Sequence, residues 1–405
     1  MGRIRSSRGA RPGVSPVGEE RATTPGHDFI DGDRSFGRLI DRLVDAPRYA
    51  LDTEFHRERT YFPQVAVVQI ADEHGTVVID ALNVDLAPLA RVLNGPGVAV
   101  LHAARQDLEV LERVCGTVPS SLFDTQIAAG FVGYTTPSLS TLLERELGVQ
   151  APKADRLTDW LQRPLTPAQL DYAASDVAHL LELHDRLHQE LERRGRLPWV
   201  EEACQSMRVE SRGPRNPEEA WRRIKEIRHL QGSALAVAQA VAAWRETRAA
   251  EADLTPRFVL SDLAVVSIAS SAPSTDEELR SLRGVDGRAM RNGAAETLLG
   301  VVASARQQAP ARSEPRSTPE LPAELRPALP LIAAWVSQRS RDLDLETALL
   351  ATRSDIEDLL RGAPEARLAT GWRAELVGGP IRRLLSGEAA LAFERGEGLV
   401  LRDVE

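Results

Sequence analysis

A chain of 405 residues, 27% charged, 42% hydrophobic and only 4% aromatic, is long enough for two or three domains with cores built from Leu, Val and Ala. Its formal net charge of -9 argues against a general polyanion binder, though not against an enzyme with a local basic track. Two cysteines, Cys115 and Cys204, exclude a disulfide framework, and no apolar run approaches a membrane span, so a cytoplasmic protein without a membrane partner is expected.

Residues 1–27 are rich in Gly, Pro, Ser and Arg and lack the apolar stretch of a signal peptide; they read as a disordered basic tail. A helix is expected over Ser35–Leu43, then a strand over Tyr49–Phe55 and a polar loop, HRERTYFPQ. VAVVQIAD and TVVIDAL read as two further strands with a turn between them, giving a partly antiparallel sheet. LAPLARVLN is a short helix, Val98–Ala103 a strand, RQDLEVLERV a helix, and LFDTQIAAGFV a short extended piece followed by a helix. The pattern is then almost wholly helical. One long helix is expected from Pro167, with Thr166 as its cap, to about Gly195. Strands first and helices after describe an α/β layer with a helical flank.

Composition divides the chain further. A first domain over 28–206 gives way to a linker at 207–216, a helical unit at 217–302, a Pro- and Ser-rich linker at 303–320, a second helical unit at 321–390 and a weakly structured tail at 391–405. Both helical units place a Trp-containing helix (AAWRETRAAEAD, AAWVSQRSRDLD) before an acidic helix that closes on Leu-Arg-Gly. This is a weak internal repeat, and chance reuse of helical vocabulary is its alternative.

ALDTEF is the unusual stretch. Residues two apart in a strand share a face, so Asp52 and Glu54 converge, with small Ala50 beside them. Two adjacent carboxylates repel, and burial sharpens the repulsion, so a cation is needed. From this motif alone, a strand end in which both acids meet water or pair with Arg57 and Arg59 reads equally well. Asp107 lies in the first turns of a helix after a strand, where backbone N–H groups favour an anion. Tyr172 and Asp176 are four apart and share a helical face. Four acids without a Cys or His cluster describe a hard-cation site for Mg²⁺ or Mn²⁺ rather than zinc, suited as a pair to attack of water on a phosphodiester. His102 reads as a polar strand-end residue, and Gln69 as a polar group near the acids or one on a solvent-facing strand.

In order and separation, D-x-E in a strand, H-x-x-x-x-D at a helix start and Y-x-x-x-D late in a helix resemble the DEDD exonuclease superfamily in its tyrosine-containing branch. LDTEFHRERTYFP, LFDTQIAAGFVGY, PSLSTLLERELG and TDWLQRPLTPAQLDYAASDV look like the bacterial ribonuclease D family. The resemblance covers Asp28 to about Trp199 and continues more loosely through the helical units, which look like that family's HRDC-type domains. It implies an α/β ribonuclease H-like exonuclease domain, a mixed sheet with flanking helices, followed by two small all-helical HRDC-like domains.

For the site, the resemblance implies that Asp52 bridges two metals, Glu54 and Asp176 hold the one that activates water, Asp107 serves the second through water ligands, and Tyr172 orients the attacking water. It implies a metal-dependent 3'-to-5' exoribonuclease releasing 5'-mononucleotides, with tRNA precursors as the expected RNA and a monomer as the expected state. Thr53 and His56 would offer backbone groups near the terminal nucleotide, and Leu139 and Ser140 would approach the substrate end. Phe55, Tyr61 and Phe62 could stack on bases or equally pack in the protein. Asp155, Arg156 and Trp160 fall in the loop before the tyrosine helix, with Trp160 expected as a packed lid. Arg222, Lys225 and Arg228, spaced by three on an expected helix, form a basic stripe for RNA. Two alternatives remain at this point: the same chemistry on DNA, and a non-catalytic RNA-binding protein. A nicotinamide enzyme is disfavoured, because no strand leads into a Gly-rich phosphate loop.

Overall fold

The computed structural model describes residues 26–150, 152, 158–210, 216–286, 290–291, 293–307 and 321–404. The expected tail up to residue 25, both Asp155 and Arg156, and linker residues 211–215 and 308–320 lie outside them.

Six strands form one mixed sheet in the order β1-β4-β3-β2-β5-β6. They are β1 (His27–Ile30), β2 (Arg48–His56), β3 (Gln64–Asp72), β4 (Gly75–Asp80), β5 (Val98–Leu101) and β6 (Ser121–Asp124). The short edge strand β1, not expected from the sequence, begins at the last residue of the expected tail, lies otherwise in the expected first domain, and pairs parallel to β4. The hairpin β3–β4 is antiparallel, as is β2–β3, whereas β2, β5 and β6 run parallel. Helices α1 (Asp33–Leu43), α2 (Ala90–Leu93), α3 (Arg105–Cys115), α4 (Thr125–Phe131), α5 (Leu139–Leu142), α6 (Pro167–Ala178), α7 (Leu180–Arg193) and α8 (Leu197–Glu210) surround it. The helix expected from Pro167 to Gly195 is two helices, broken at His179, whose φ of -115° leaves the helical range. The linker expected from residue 207 is still α8 as far as Glu210.

Two features of the sheet place the site. First, β2 pairs with β5 only over Arg48–Ala50. Beyond that, β2 has an unpaired edge, and α3 begins beside it. Second, the β2–β3 register slips between Glu54 and Phe55, a bulge that bends the strand just past the second acid. On the opposite side of the site, α6 starts with the expected Thr166 cap, strengthened by the Gln169 side-chain oxygen, which accepts the Thr166 backbone N–H in return. Its small residues Ala173 and Ala174 pack on Ala66, Val67 and Val78 of the sheet. Small side chains let the helix lie close, which brings Tyr172 and Asp176 over β2.

The first helical unit has a core of its own, built from α9 (Gly232–Glu251), α10 (Pro256–Val259), α11 (Asp262–Ser271), α12 (Asp276–Ser281) and α13 (Ala294–Gln307). EEAWRRIKEIRHL is not the helix expected. It forms two tight turns, Pro217–Arg223 and Lys225–His229, separated by extended Ile224. Arg222 therefore does not continue the stripe of Lys225 and Arg228; it lies over the Trp221 ring.

The second helical unit contains α14 (Ala328–Asp342), α15 (Thr347–Leu350), α16 (Arg353–Leu360), α17 (Gly371–Arg373) and α18 (Gly379–Leu385). Its apolar residues are continuous with the main core of the first domain. Trp372 stacks on Trp199 at 5.0 Å between ring centroids and meets Phe131 edge-on at 5.2 Å. Buried Arg196 donates to the carbonyls of both Phe131 and Leu343, tying the two parts together. The tail expected to be weakly structured is a hairpin, β7 (Ala389–Glu394) with β8 (Gly398–Asp403), whose Leu391, Leu399 and Leu401 pack on the same core. Alternation over LAFERGEGLVLRD is the signal that the composition-based reading passed over.

Candidate active site

Asp52, Glu54 and Asp176 each offer a carboxylate oxygen within 4.8 Å of the others, an arrangement able to hold a cation. Asp107 stands aside from this trio. Its Oδ1 accepts the Thr53 backbone N–H at 3.1 Å and the Thr53 hydroxyl at 2.6 Å. The unpaired edge of β2 explains the first bond: an N–H that would otherwise lack a partner is taken by a carboxylate from α3. Thr53, read as a backbone contact to substrate, thus uses its backbone and side chain to anchor Asp107.

Charge at the site is uncompensated. Burial, with repulsion from Asp107, Asp176 and Glu54, pushes the Asp52 carboxyl well above the usual carboxylate range. Burial and its acidic neighbours raise Glu54 to about 8. Asp176 rises to about 7, chiefly by burial, although its contact with the Tyr172 hydroxyl favours the ionised form. Asp107 rises to about 6, with the Thr53 bonds opposing its burial. Burial and the nearby acids push the Tyr172 phenol upward too, so it stays protonated at neutral pH. Among the described residues no Arg, Lys or His forms an ion pair with these four acids. Arg57, the pairing partner considered from sequence, reaches Glu109 instead. Carboxylate oxygens held together against their own repulsion are the donor set of a hard divalent cation, and the site fits one.

Gln69 sits opposite Asp52 across the β2–β3 ladder. It is 0% exposed, and neither polar atom of its side chain has a partner. It is therefore not on a solvent-facing strand. Trp160 lies next to Tyr172, with ring centroids 6.1 Å apart, and packs with the α6 residues as expected of a lid. Arg163 pins that loop down by bonding Asp80 at 2.6 and 2.8 Å and the Ala66 carbonyl at 2.8 Å.

Sequence reasoning missed Asp124. This fully buried residue caps α4 through the N–H groups of Gln126 and Ile127 and also accepts from Ala103 and Ala104. It thereby fixes the turn, with Ala103 at φ 57°, that starts α3 and aims Asp107. His102 directly follows β5 and meets Thr125 at 2.9 Å. An Asp between a strand and a helix was the available signal.

The expected substrate contacts scatter. Phe55 is partly buried against the main core, and His56 is partly exposed at the end of β2. Leu139 opens α5, capped by Ser138, and is half-buried. Phe62 is not a free stacking surface: the Arg113 guanidinium covers its ring at 4.0 Å, and Tyr61 meets it edge-on. Lys225 and Arg228 are exposed on the first helical unit.

A family profile described as 3'-5' exonuclease matches residues 28–192, and one described as HRDC domain matches 234–302. Ribonuclease D of Sphingobium indicum is 34% identical over 380 residues, spanning 91% of this chain and 97% of its own. The chain belongs to the ribonuclease D family. Ribonuclease D of Escherichia coli K12 is 35% identical over 374 residues, 89% of this chain and 98% of that one. The crystal structure of E. coli ribonuclease D, described as an exoribonuclease involved in structured RNA processing, superposes with a TM-score of 0.79 at 34% identity, covering 90% of this chain and 99% of that one. Membership in the ribonuclease D family makes this protein a 3'-5' exoribonuclease with RNA as its substrate, and it implies dependence on a divalent metal.

Proposed function

We propose that the protein trims the 3' ends of structured RNA, tRNA precursors foremost, by two-metal hydrolysis at Asp52, Glu54, Asp107 and Asp176. The observation that carries this reading is the convergence of Asp52, Glu54 and Asp176 within 4.8 Å, with Asp107 beside them. Two Mg²⁺ or Mn²⁺ ions supply the positive charge that acidifies the attacking water and offsets charge on the phosphodiester.

Asp52 feels the other three acids most directly and is assigned to both ions. Glu54 and Asp176 would hold the ion that activates water, and Asp107, steadied by Thr53, would serve the other. Tyr172 remains a phenol at neutral pH, so it orients the water by hydrogen bonding and does not remove its proton. Water adds to phosphorus, the bond to the 3' oxygen of the penultimate nucleotide breaks, and that oxygen leaves as a hydroxyl. The products are a 5'-mononucleotide and a shortened RNA. Lys225 and Arg228 are proposed to meet the RNA backbone, and Thr53, Phe55, His56 and Leu139 to border the terminal nucleotide. The division into an exonuclease domain and two helical units, an HRDC-like nature for the second helical unit, a monomeric state and a cytoplasmic location belong to the same reading.

A tRNA precursor with an extended, 3'-labelled end tests it. Release of labelled mononucleotide first, only with added Mg²⁺ or Mn²⁺, is expected. Faster digestion of a matched DNA oligonucleotide would transfer the chemistry to DNA, and binding without release would make the protein a non-catalytic RNA binder.

A further inference from the structure

The first helical unit grips one loop of the exonuclease domain. Residues 57–63 join β2, which carries Asp52 and Glu54, to β3. Asp253 Oδ1 accepts the backbone N–H groups of Tyr61 at 3.1 Å and Phe62 at 3.0 Å. The Thr255 N–H donates to the Arg59 carbonyl at 3.4 Å, while its hydroxyl and Arg257 reach the Glu58 carbonyl at 3.3 and 3.2 Å. The Tyr61 hydroxyl donates to Glu246 at 2.7 Å, and Arg223 pairs with the same oxygen at 2.6 Å. Glu246 is only 1% exposed. A carboxylate buried in the middle of α9 requires partners, and one of them comes from the other domain. Ala249, Val259 and Trp244 complete the seam around Tyr61 and Phe62.

On its other side the same loop holds α3. Arg57 bonds Glu109, and Arg113 covers Phe62. Both partners lie on the helix that carries Asp107. Loop 57–63 thus ties together the strand with two of the acids, the helix with a third, and the first helical unit. The acids repel one another, so their spacing before cations bind must come from the surrounding frame.

We propose that Asp253 and Glu246 are positioning residues for the exonuclease reaction, fixing loop 57–63 so that β2 and α3 keep the separation the carboxylates need. This rests on the assignment of Asp52, Glu54, Asp107 and Asp176 to the catalytic cations. It gives the helical unit a part in the chemical step as well as in holding RNA. Misplacement by about an ångström lowers rates by up to about a hundredfold, so partial loosening should be visible.

The test uses the full-length protein. Asp253→Gly keeps the left-handed backbone, φ 48°, and removes the carboxylate; Asp253→Asn keeps an acceptor and tolerates that backbone. Amide exchange at Tyr61 and Phe62, Mn²⁺ affinity without RNA, and kcat and KM on an RNA trinucleotide and on a structured RNA are measured. For Asp253→Gly, faster exchange at those amides, Mn²⁺ binding weakened by about tenfold and kcat lowered by about tenfold on both RNAs are expected, with Asp253→Asn restoring them. Unchanged Mn²⁺ affinity and kcat, or an effect confined to KM for the structured RNA, would overturn the proposal. Should Asp253→Gly fail to fold, Tyr61→Phe, which loses the Glu246 bond, decides by the same Mn²⁺ and kcat readings. Asp52→Asn separates the two readings: wild-type cleavage by that variant removes the catalytic assignment itself, whereas its inactivity alongside an unaffected Asp253→Gly removes only the positioning role.

Discussion

Replacing Glu54 by Gln should stabilise the metal-free protein, and increasingly so as pH rises. The Glu54 carboxyl is raised from 4.5 to about 8 in the fold. A carboxyl whose affinity for its proton is higher folded than unfolded favours the fold below the unfolded value. That contribution is lost as pH climbs through the folded value. A change of this size corresponds to on the order of 4 kcal/mol between pH 5 and 8.5, at about 1.4 kcal/mol per tenfold in proton affinity. Local relaxation and water entry bring the expected effect to about 2–3 kcal/mol. Gln mimics the protonated acid, so wild type and variant should nearly coincide at pH 5 in EDTA. At pH 8.5 the variant's apparent Tm should be higher by roughly 4–10 °C. Adding Mg²⁺ at pH 8.5 should raise the wild-type Tm more than the variant's, because the cation offsets the repulsion that Gln removes. Thermal unfolding followed by Trp fluorescence across this pH range, with and without Mg²⁺, is the assay. A Tm difference independent of pH, or a wild type that Mg²⁺ does not stabilise, would refute the electrostatic account.

Asp52→Asn should lower cleavage by on the order of 10³-fold or more while leaving RNA affinity within about threefold, as single-turnover and filter-binding measurements would read. Mn²⁺ affinity should fall as pH drops from 8 to 6, because protons compete at Glu54, Asp176 and Asp107, whose values of about 8, 7 and 6 span that range; calorimetric titration at the two pH values checks the direction. Asp124→Ala strips acceptors from four backbone N–H groups and should destabilise by about 3 kcal/mol or more, measured by denaturant unfolding. Trp372→Ala opens the stack with Trp199 and Phe131 and should cost about 3–5 kcal/mol, with limited proteolysis releasing the second helical unit.

The acids were legible because local geometry dictates their placement. Alternation in a strand fixed Asp52 and Glu54 on one face, helical period paired Tyr172 with Asp176, and a helix start accounted for Asp107. What holds them was not legible. Asp124 looks like any residue between a strand and a helix, and its four bonds exist only once β5, α3 and α4 meet. Phe62 had the chemistry of a stacking residue, but Arg113 reaches it across more than forty positions of sequence. The Arg222–Arg228 spacing assumed a helix that Ile224 interrupts. The core shared by the second helical unit and the exonuclease domain depends on contacts that no periodicity announces.

Where β5 stops, the site begins. Pairing with β2 ends at Val100, the strand itself ends at Leu101, and the left-handed turn at Ala103 sends the chain into α3. An engineer seeking a stiffer sheet would be tempted to extend β5 by two residues and complete the ladder beside Leu51–Thr53. The new strand would claim the Thr53 N–H that Asp107 now uses, and gain in order at the cost of function. In this fold the incomplete sheet is the docking slot for the second motif, so lengthening β5 would displace Asp107 from Thr53.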